Sequence, residues 1–140
     1  MNIEVNNVSK RYGKKEALKN ISFKLEGPKI YGLLGRNGAG KTTFMDILSG
    51  HSLASNGEIT IDGKSPFDNR EVLEKICLIK EGDNFHRDMR IKNIYKAYSY
   101  FYPNWDQALA DELTEEYGLN KNARIKTLSK GMASAVGIIV

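Results

Sequence analysis

The stretch GRNGAGKT, residues 35–42, matches the pattern G-x-x-x-x-G-K-[ST] of a phosphate-binding loop. It follows an apolar run, IYGLL at 30–34, and it precedes KTTFMDILSG at 41–50, whose apolar residues have helical spacing. The sequence therefore predicts a strand buried on both faces, a glycine loop, and a helix that begins near Lys41. A chance glycine turn before a helix is the alternative, and the strand–loop–helix context argues against it.

The residue types of this loop suit the binding of a nucleotide. Glycines allow backbone N–H groups to turn toward phosphate oxygens, and the positive end of the following helix attracts the same anion. Lys41 would bring a positive charge to the β- and γ-phosphates, and Thr42 would offer its hydroxyl to Mg²⁺. The candidate phosphate-binding residues are Gly35, Arg36, Asn37, Gly38, Ala39, Gly40, Lys41, Thr42 and Thr43.

Strand patterns surround the loop on both sides. Alternating apolar residues predict half-buried strands at 2–8 and 20–25. GEITIDGK at 57–64 predicts a short strand that ends in an Asp-Gly turn. A second strand buried on both faces is predicted at 76–79, within EKICLIK.

After residue 82 the strand patterns end and two helices are predicted, at 90–102 and 103–118. The faces expected to point inward are Ile94, Tyr95, Tyr98 and Phe101 in the first helix, and Trp105, Leu109, Leu113 and Tyr117 in the second. Such an aromatic stripe could be a docking surface, but helix-packing core is the favoured interpretation.

Composition narrows the class of protein. A chain of 140 residues with 41% apolar and 27% charged residues suits one globular domain. No apolar run approaches the roughly 18 residues that span a bilayer, and one cysteine, Cys77, permits no internal disulfide, so a cytosolic protein is expected. The net charge of +4 comes from clusters that lack interleaved aromatic residues, which favours solvated faces over a nucleic-acid surface.

Several segments together resemble the ATP-binding subunits of ABC transporters, over all 140 residues. The matching segments are VSKRYG (8–13), ALKNISFKL (17–25), GLLGRNGAGKTTF (32–44), GEITIDGK (57–64), ICLIK (76–80) with Glu81, and LSKGM (128–132). LSKGM is the segment that distinguishes this family from other NTPases, because a phosphate loop alone fits many of them. FYPNWD (101–106) and LSKGM look most like bacterial two-component ABC exporters, often of peptides or antibiotics.

The resemblance implies an α/β P-loop NTPase fold of the ABC type, with an antiparallel β subdomain and a helical subdomain. Residues 1–81 would form the β subdomain and phosphate-loop core, residues 82–130 the helical subdomain, and residues 128–140 the start of the signature helix. The C-terminal part of the fold would be absent.

The resemblance also implies roles for residues outside the loop. Tyr12 would stack on adenine, unless it is a core tyrosine at a strand end. Glu81, where the family usually has glutamine, would touch Mg²⁺ and the attacking water, unless it is an exposed loop acid. Ser129 and Gly131 would cap the γ-phosphate held by the opposite subunit, and Ser129 would also serve as an ordinary helix N-cap. Lys41, Glu81 and Ser129 are thus the expected catalytic residues, Thr42 and Glu81 the expected metal ligands, and ATP and Mg²⁺ the expected cofactors.

The implied partners are transmembrane permease subunits and a second ATP-binding subunit, identical or different, with no nucleic acid. The implied location is the cytoplasm, at the inner face of the membrane. Two further alternatives are a nucleotide-binding module without turnover and a non-transport ABC ATPase.

The resemblance also implies catalytic elements after the signature segment: an apolar strand that ends in Asp-Glu, and a histidine that contacts the γ-phosphate. Neither has a match in this sequence. No run of four apolar residues precedes Asp-Glu, and His51 and His86 both come before the signature segment. We therefore expect the N-terminal part of a longer ATPase, one that binds ATP without efficient hydrolysis. We also expect an open sheet edge and exposed apolar residues where neighbouring strands are missing.

Overall fold

The computed structural model describes residues 1–80 and 84–140, so Glu81 lies outside the described residues. The chain forms two compact units, Met1–Leu78 and Ile79–Val140. Among the described residues, none of the helices has both the length and the apolar character needed to cross a bilayer.

The first unit contains a three-stranded antiparallel sheet. Its strands are β1 (Ile3–Tyr12), β2 (Lys15–Leu25) and β3 (Asn56–Ile61), in the order β2-β1-β3. The strands predicted at 2–8, 20–25 and 57–64 are therefore confirmed, although β1 and β2 are longer than expected. Asp62 and Gly63 follow β3 with φ angles of 49° and 79°, which confirms the Asp-Gly turn.

Helix α1 (Lys41–Leu48) packs against this sheet and begins where the sequence predicted. Phe44 and Ile47 are its buried residues, and the Phe44 ring lies 5.5 Å from the ring of Phe23, centroid to centroid. The shared core consists of Val5, Val8, Leu18, Phe44, Ile47 and Ile59. A four-residue helix, α2 (Arg70–Leu73), completes the helices of this unit.

The two strands predicted to be buried on both faces, at 30–34 and 76–79, are wrong: neither segment is a strand. A strand of that kind needs hydrogen-bonding neighbours on both sides, and no described strand pairs with either segment. The apolar side chains of 30–34 are consequently exposed, with Leu34 at 94%. The expectation of exposed apolar residues at this place is confirmed.

The second unit is helical, as predicted. It contains α3 (Ile91–Phe101), α4 (Gln107–Glu116), a 3₁₀ turn (Ile125–Thr127) and α5 (Lys130–Ile139). The buried core residues of this unit are Ile91, Ile94, Tyr95, Ala110, Leu119, Ile125, Ala135 and Val136.

Aromatic residues fasten α3 to the start of α4. The ring centroid of Trp105 lies 5.6 Å from that of Tyr95 and 6.3 Å from that of Tyr98. The Tyr95 hydroxyl bonds the buried Thr114 hydroxyl at 2.7 Å, and Thr114 in turn donates to the carbonyl of Ala110 at 2.5 Å. Burial raises the pKa of Tyr95. The core interpretation is therefore confirmed for Tyr95, Tyr98 and Trp105.

The inward face is also confirmed for Ile94, which is 1% exposed, and Leu113 is half-buried, but the prediction is wrong for Phe101, Leu109 and Tyr117. Phe101 is 80% exposed, Leu109 and Tyr117 are also exposed, and α4 buries Ala110 and Thr114 instead. Steps of four residues advance about 40° beyond each full turn, because an α-helix has 3.6 residues per turn. A stripe with a strict four-residue period therefore leaves the buried face within a few steps.

Candidate nucleotide-binding site

A cavity of about 460 Å³ in the first unit gathers most of the predicted binding residues. One wall is the end of the β1–β2 hairpin, with Tyr12, Lys15 and Ala17. The other wall is the glycine loop and the first turn of α1, formed by Asn37, Gly38, Gly40, Lys41, Thr42 and Thr43. The nearest residues of the two walls, Ala17 and Asn37, are twenty positions apart in the sequence, and the fold brings them together.

Glycine is required where the loop approaches the hairpin. Gly40 has a φ of 89°, and a Cβ at this position would overlap the carbonyl oxygen of Ala17. Gly40 is also the N-cap of α1, and it supplies no side chain to bond the first N–H groups of the helix. Those N–H groups have no intrahelical acceptor, so the helix start is suited to an anion in the cavity.

Three predicted residues, Gly35, Arg36 and Ala39, do not line the cavity but shape its loop. The Ala39 N–H donates to the Arg36 carbonyl at 3.1 Å, which closes a turn. The Lys41 ammonium donates to the carbonyl oxygens of Gly35 and Arg36 at 2.5 and 3.0 Å. A Cβ on Gly35 would lie 3.2 Å from that of Ala39, so the small residues keep this turn tight.

Tyr12 is the last residue of β1, and it is 51% exposed. The alternative of a core tyrosine is therefore wrong. Its ring lines the cavity, and the Lys10 ammonium lies 5.1 Å from the ring centroid. A flat aromatic side chain in a cavity whose other wall is suited to an anion also suits a nucleobase.

Lys15 is a cavity residue that the sequence reasoning missed. The turn Gly13–Lys14 connects β1 to β2 and pairs Tyr12 directly with Lys15. Paired residues of antiparallel strands place their side chains on the same face. The two-residue turn after Tyr12 was the signal that could have found Lys15.

The described residues offer few ligands for a metal. Thr42 lines the cavity with an exposed side chain, whereas Glu81 lies outside the described residues. Within 1–80 and 84–140, no three His, Cys, Asp or Glu side chains form a group that could hold a metal ion. A divalent ion at this site would therefore use the Thr42 hydroxyl together with oxygens of a bound phosphate, a ligand set that Mg²⁺ accepts.

Ser129 and Gly131 lie at the start of α5 in the helical unit. Ser129 is the N-cap, and its hydroxyl accepts the Met132 N–H at 3.2 Å, so the capping role is confirmed. Gly131 is exposed in the first turn, and a Cβ there would meet no atom within 4 Å. A hydroxyl that accepts one hydrogen bond can still donate its own proton.

The sequence is similar to a known protein family and to curated proteins. A family model described as ABC transporter matches residues 18–140. The ABC transporter ATP-binding protein YtrB of Bacillus subtilis is 28% identical over 99% of this chain and 47% of its own length. The ribose import ATP-binding protein RbsA of Bacillus licheniformis is 28% identical over the whole chain and 27% of its own length. The chain thus spans about half or less of these two curated relatives.

A solved structure of an ATP-binding subunit of an ABC transporter has the same fold. It superposes with a TM-score of 0.79 at 23% identity, covering 99% of this chain and 60% of that one. The predicted fold class, an α/β P-loop fold of the ABC type with antiparallel sheet and helices, is confirmed.

Proposed function

The chain belongs to the ABC transporter family, and from that premise we propose that it binds ATP with Mg²⁺ as the ATP-binding part of a transport ATPase. The observation that carries this proposal is the cavity of about 460 Å³ that Tyr12 shares with the glycine loop. One wall suits a base and the other suits a triphosphate, and both walls belong to the same compact unit.

The base and the phosphates would be held by different physics. The Tyr12 ring offers π-contact, which every nucleobase can accept, so we expect weak selectivity among bases. The loop offers backbone N–H groups and the uncapped start of α1, which bind phosphate oxygens regardless of the base. Lys15 adds a second lysine to the cavity lining, on the wall opposite the one that carries Lys41.

Lys41 would exchange acceptors when a triphosphate binds. Its ammonium donates to two backbone carbonyls of its own loop, Gly35 and Arg36. Phosphate oxygens carry negative charge, so they attract the ammonium more strongly than neutral carbonyl oxygens do. The exchange is therefore favourable, and the carbonyls hold the ammonium close to the site in the meantime.

Mg²⁺ would be held by the Thr42 hydroxyl, with phosphate oxygens as its other ligands. When bound, the ion neutralises charge on the β- and γ-phosphates. Glu81 follows the segment ICLIK in the sequence, and we propose it as a further ligand, on the family resemblance alone.

Ser129 and Gly131 would act on the nucleotide of a second ATP-binding subunit. The exposed Ser129 hydroxyl has a proton to donate, and the open face of Gly131 would let a phosphate approach the backbone. Each subunit would then supply half of each site. Binding of ATP would draw two subunits together, and permease subunits in the membrane would receive the motion on its cytoplasmic side.

Turnover and the direction of transport are separate parts of the proposal. The 140 residues contain no run of four apolar residues followed by Asp-Glu, which supports binding of ATP without efficient hydrolysis by this chain alone. Export is supported by FYPNWD and LSKGM only, whereas several relatives, RbsA among them, are named for import. The cargo would be selected by the permease subunits.

The test is a titration of the purified 140-residue chain with a fluorescent ATP analogue and Mg²⁺. We expect saturable binding that Lys41→Ala reduces at least tenfold, because the variant loses an ammonium–triphosphate contact worth about 1.5–3 kcal/mol. Lys19→Ala is the matched control, since Lys19 is exposed on β2 and does not line the cavity. Equal binding by wild type and Lys41→Ala would refute the proposal.

A further inference from the structure

Lys10 is tied to a fixed point of the backbone just outside the nucleotide cavity. Its ammonium donates to the carbonyl oxygen of Leu53 at 2.6 Å. The loop that carries Leu53 is itself bonded to β1, because the Ser55 N–H donates to the Ser9 carbonyl at 2.8 Å. The Arg11 N–H also donates to the Ser55 hydroxyl at 3.0 Å. The ammonium is therefore placed by the backbone and does not depend on Tyr12 for its position.

The same ammonium covers the Tyr12 ring. It lies 5.1 Å from the ring centroid, within the range of a cation–π contact. Tyr12 lines the cavity and Lys10 is not one of its lining residues, so the ammonium contacts the ring without being part of the cavity wall. No other ring contact is present for Tyr12 among the described residues, and half of the side chain is exposed.

We propose that Lys10 is a positioning residue for the nucleobase: fixed on the Leu53 carbonyl, its ammonium holds the Tyr12 ring so that the ring's cavity side stays ready for stacking. This inference rests on the proposed function. An exposed tyrosine loses side-chain freedom when a base stacks on it, and a ring already held loses less. Lys10 would thus raise affinity for the base without touching the nucleotide.

The experiment compares two ligands on the 140-residue chain: ATP with Mg²⁺, and tripolyphosphate with Mg²⁺, each titrated by calorimetry. Lys10→Met removes the charge and keeps the side-chain length. An exposed cation–π contact is worth about 0.5–1 kcal/mol, so we expect ATP affinity to fall about two- to fivefold. Tripolyphosphate, which has no base, should bind Lys10→Met as it binds wild type.

Two further variants separate positioning from other roles. Lys10→Arg keeps a cation over the ring and should restore most of the ATP affinity. In a Tyr12→Leu background, Lys10→Met should have no further effect on ATP, because the ring through which Lys10 acts is gone. Lys14→Met is the matched control, since Lys14 lies in the adjacent turn and does not line the cavity.

Each result either supports or overturns the inference. Equal weakening of ATP and tripolyphosphate would mean that Lys10 acts on the phosphates or on folding, and the positioning role would be wrong. Unchanged ATP affinity in Lys10→Met, or an effect of the same size in the Tyr12→Leu background, would also overturn it. If the wild-type chain bound neither ligand, the proposed function itself would fall, and the role of Lys10 with it.

Discussion

The helical unit and the segment 30–34 contain similar apolar residues, but the helical unit buries them and the segment 30–34 exposes them. Ile94 of α3 is 1% exposed, whereas Leu34 is 94% exposed. A helix closes its backbone hydrogen bonds within its own segment, and α3 finds its packing partners in α4 and α5 nearby. A strand buried on both faces needs bonded neighbours. An apolar run thus forecasts burial only where the same chain supplies the partners.

The largest expected difference comes from a pair of alanine substitutions, Ile94→Ala and Leu34→Ala. Ile94→Ala should lower the free energy of unfolding by about 2–5 kcal/mol, because it leaves a cavity in the helical core. Leu34→Ala should change it by no more than about 0.5 kcal/mol, as at other exposed positions. Urea unfolding followed by circular dichroism measures both. A comparable loss in Leu34→Ala would show that the segment 30–34 is covered in solution, by a second copy of the chain for example.

A second pair, Gly40→Ala and Gly131→Ala, compares glycines of the two units. Gly40→Ala should cost about 2 kcal/mol or more, because the residue has positive φ and its new Cβ would overlap Ala17. Gly131→Ala should stabilise α5 by about 0.4–1 kcal/mol, since its Cβ meets nothing and alanine favours the helix. Thermal unfolding of both variants gives the signs. The comparison breaks if Gly131→Ala is the more damaging change.

The smallest expected effect concerns acid stability of the helical unit. Lys126 and Lys121, each 2.7 Å from its partner, lower the pKa values of Asp88 and Asp111. Because the folded-state pKa values are depressed, this stabilisation is present above the unfolded-state pKa of about 4 and is lost as the pH falls below it. Both pairs lie at the surface, so the contribution is small and sensitive to salt.

Asp111→Asn tests this expectation with melting curves recorded at pH 7 and at pH 3. The variant should melt slightly below wild type at pH 7, and the gap should shrink at pH 3, because the stabilisation is lost as the pH falls through the lowered folded-state pKa of Asp111. An equal gap at the two pH values would show that the ion pair with Lys121 contributes nothing that depends on pH.

Much of the fold could be predicted from the sequence because its signals are local. Three features depend mainly on residues close in the sequence, and each appears where it was predicted: the glycine loop, helix α1 and the Asp62–Gly63 turn. The failures concern long-range partners: residues 30–34 and 76–79 read as strands but have no described strand to pair with.

In the candidate site, too, the local features could be predicted and the long-range contacts could not. The loop was found by its pattern, whereas Lys15 and the contact of Lys10 with Tyr12 arise from strand register and from the loop around Leu53. The outward positions of Leu109 and Tyr117 show that a four-residue spacing drifts off the buried face of a helix with 3.6 residues per turn.

The position of Trp105 gives the molecule an optical asymmetry. It is the only tryptophan in the sequence, and it packs on Tyr95 and Tyr98, with its indole N–H donating to Gln107 at 3.1 Å. Indole emission therefore reports on the helical unit. Of the residues that line the candidate nucleotide cavity, Tyr12 is the only aromatic one. A shift of that emission on adding nucleotide would be a signal that events in one unit are felt in the other.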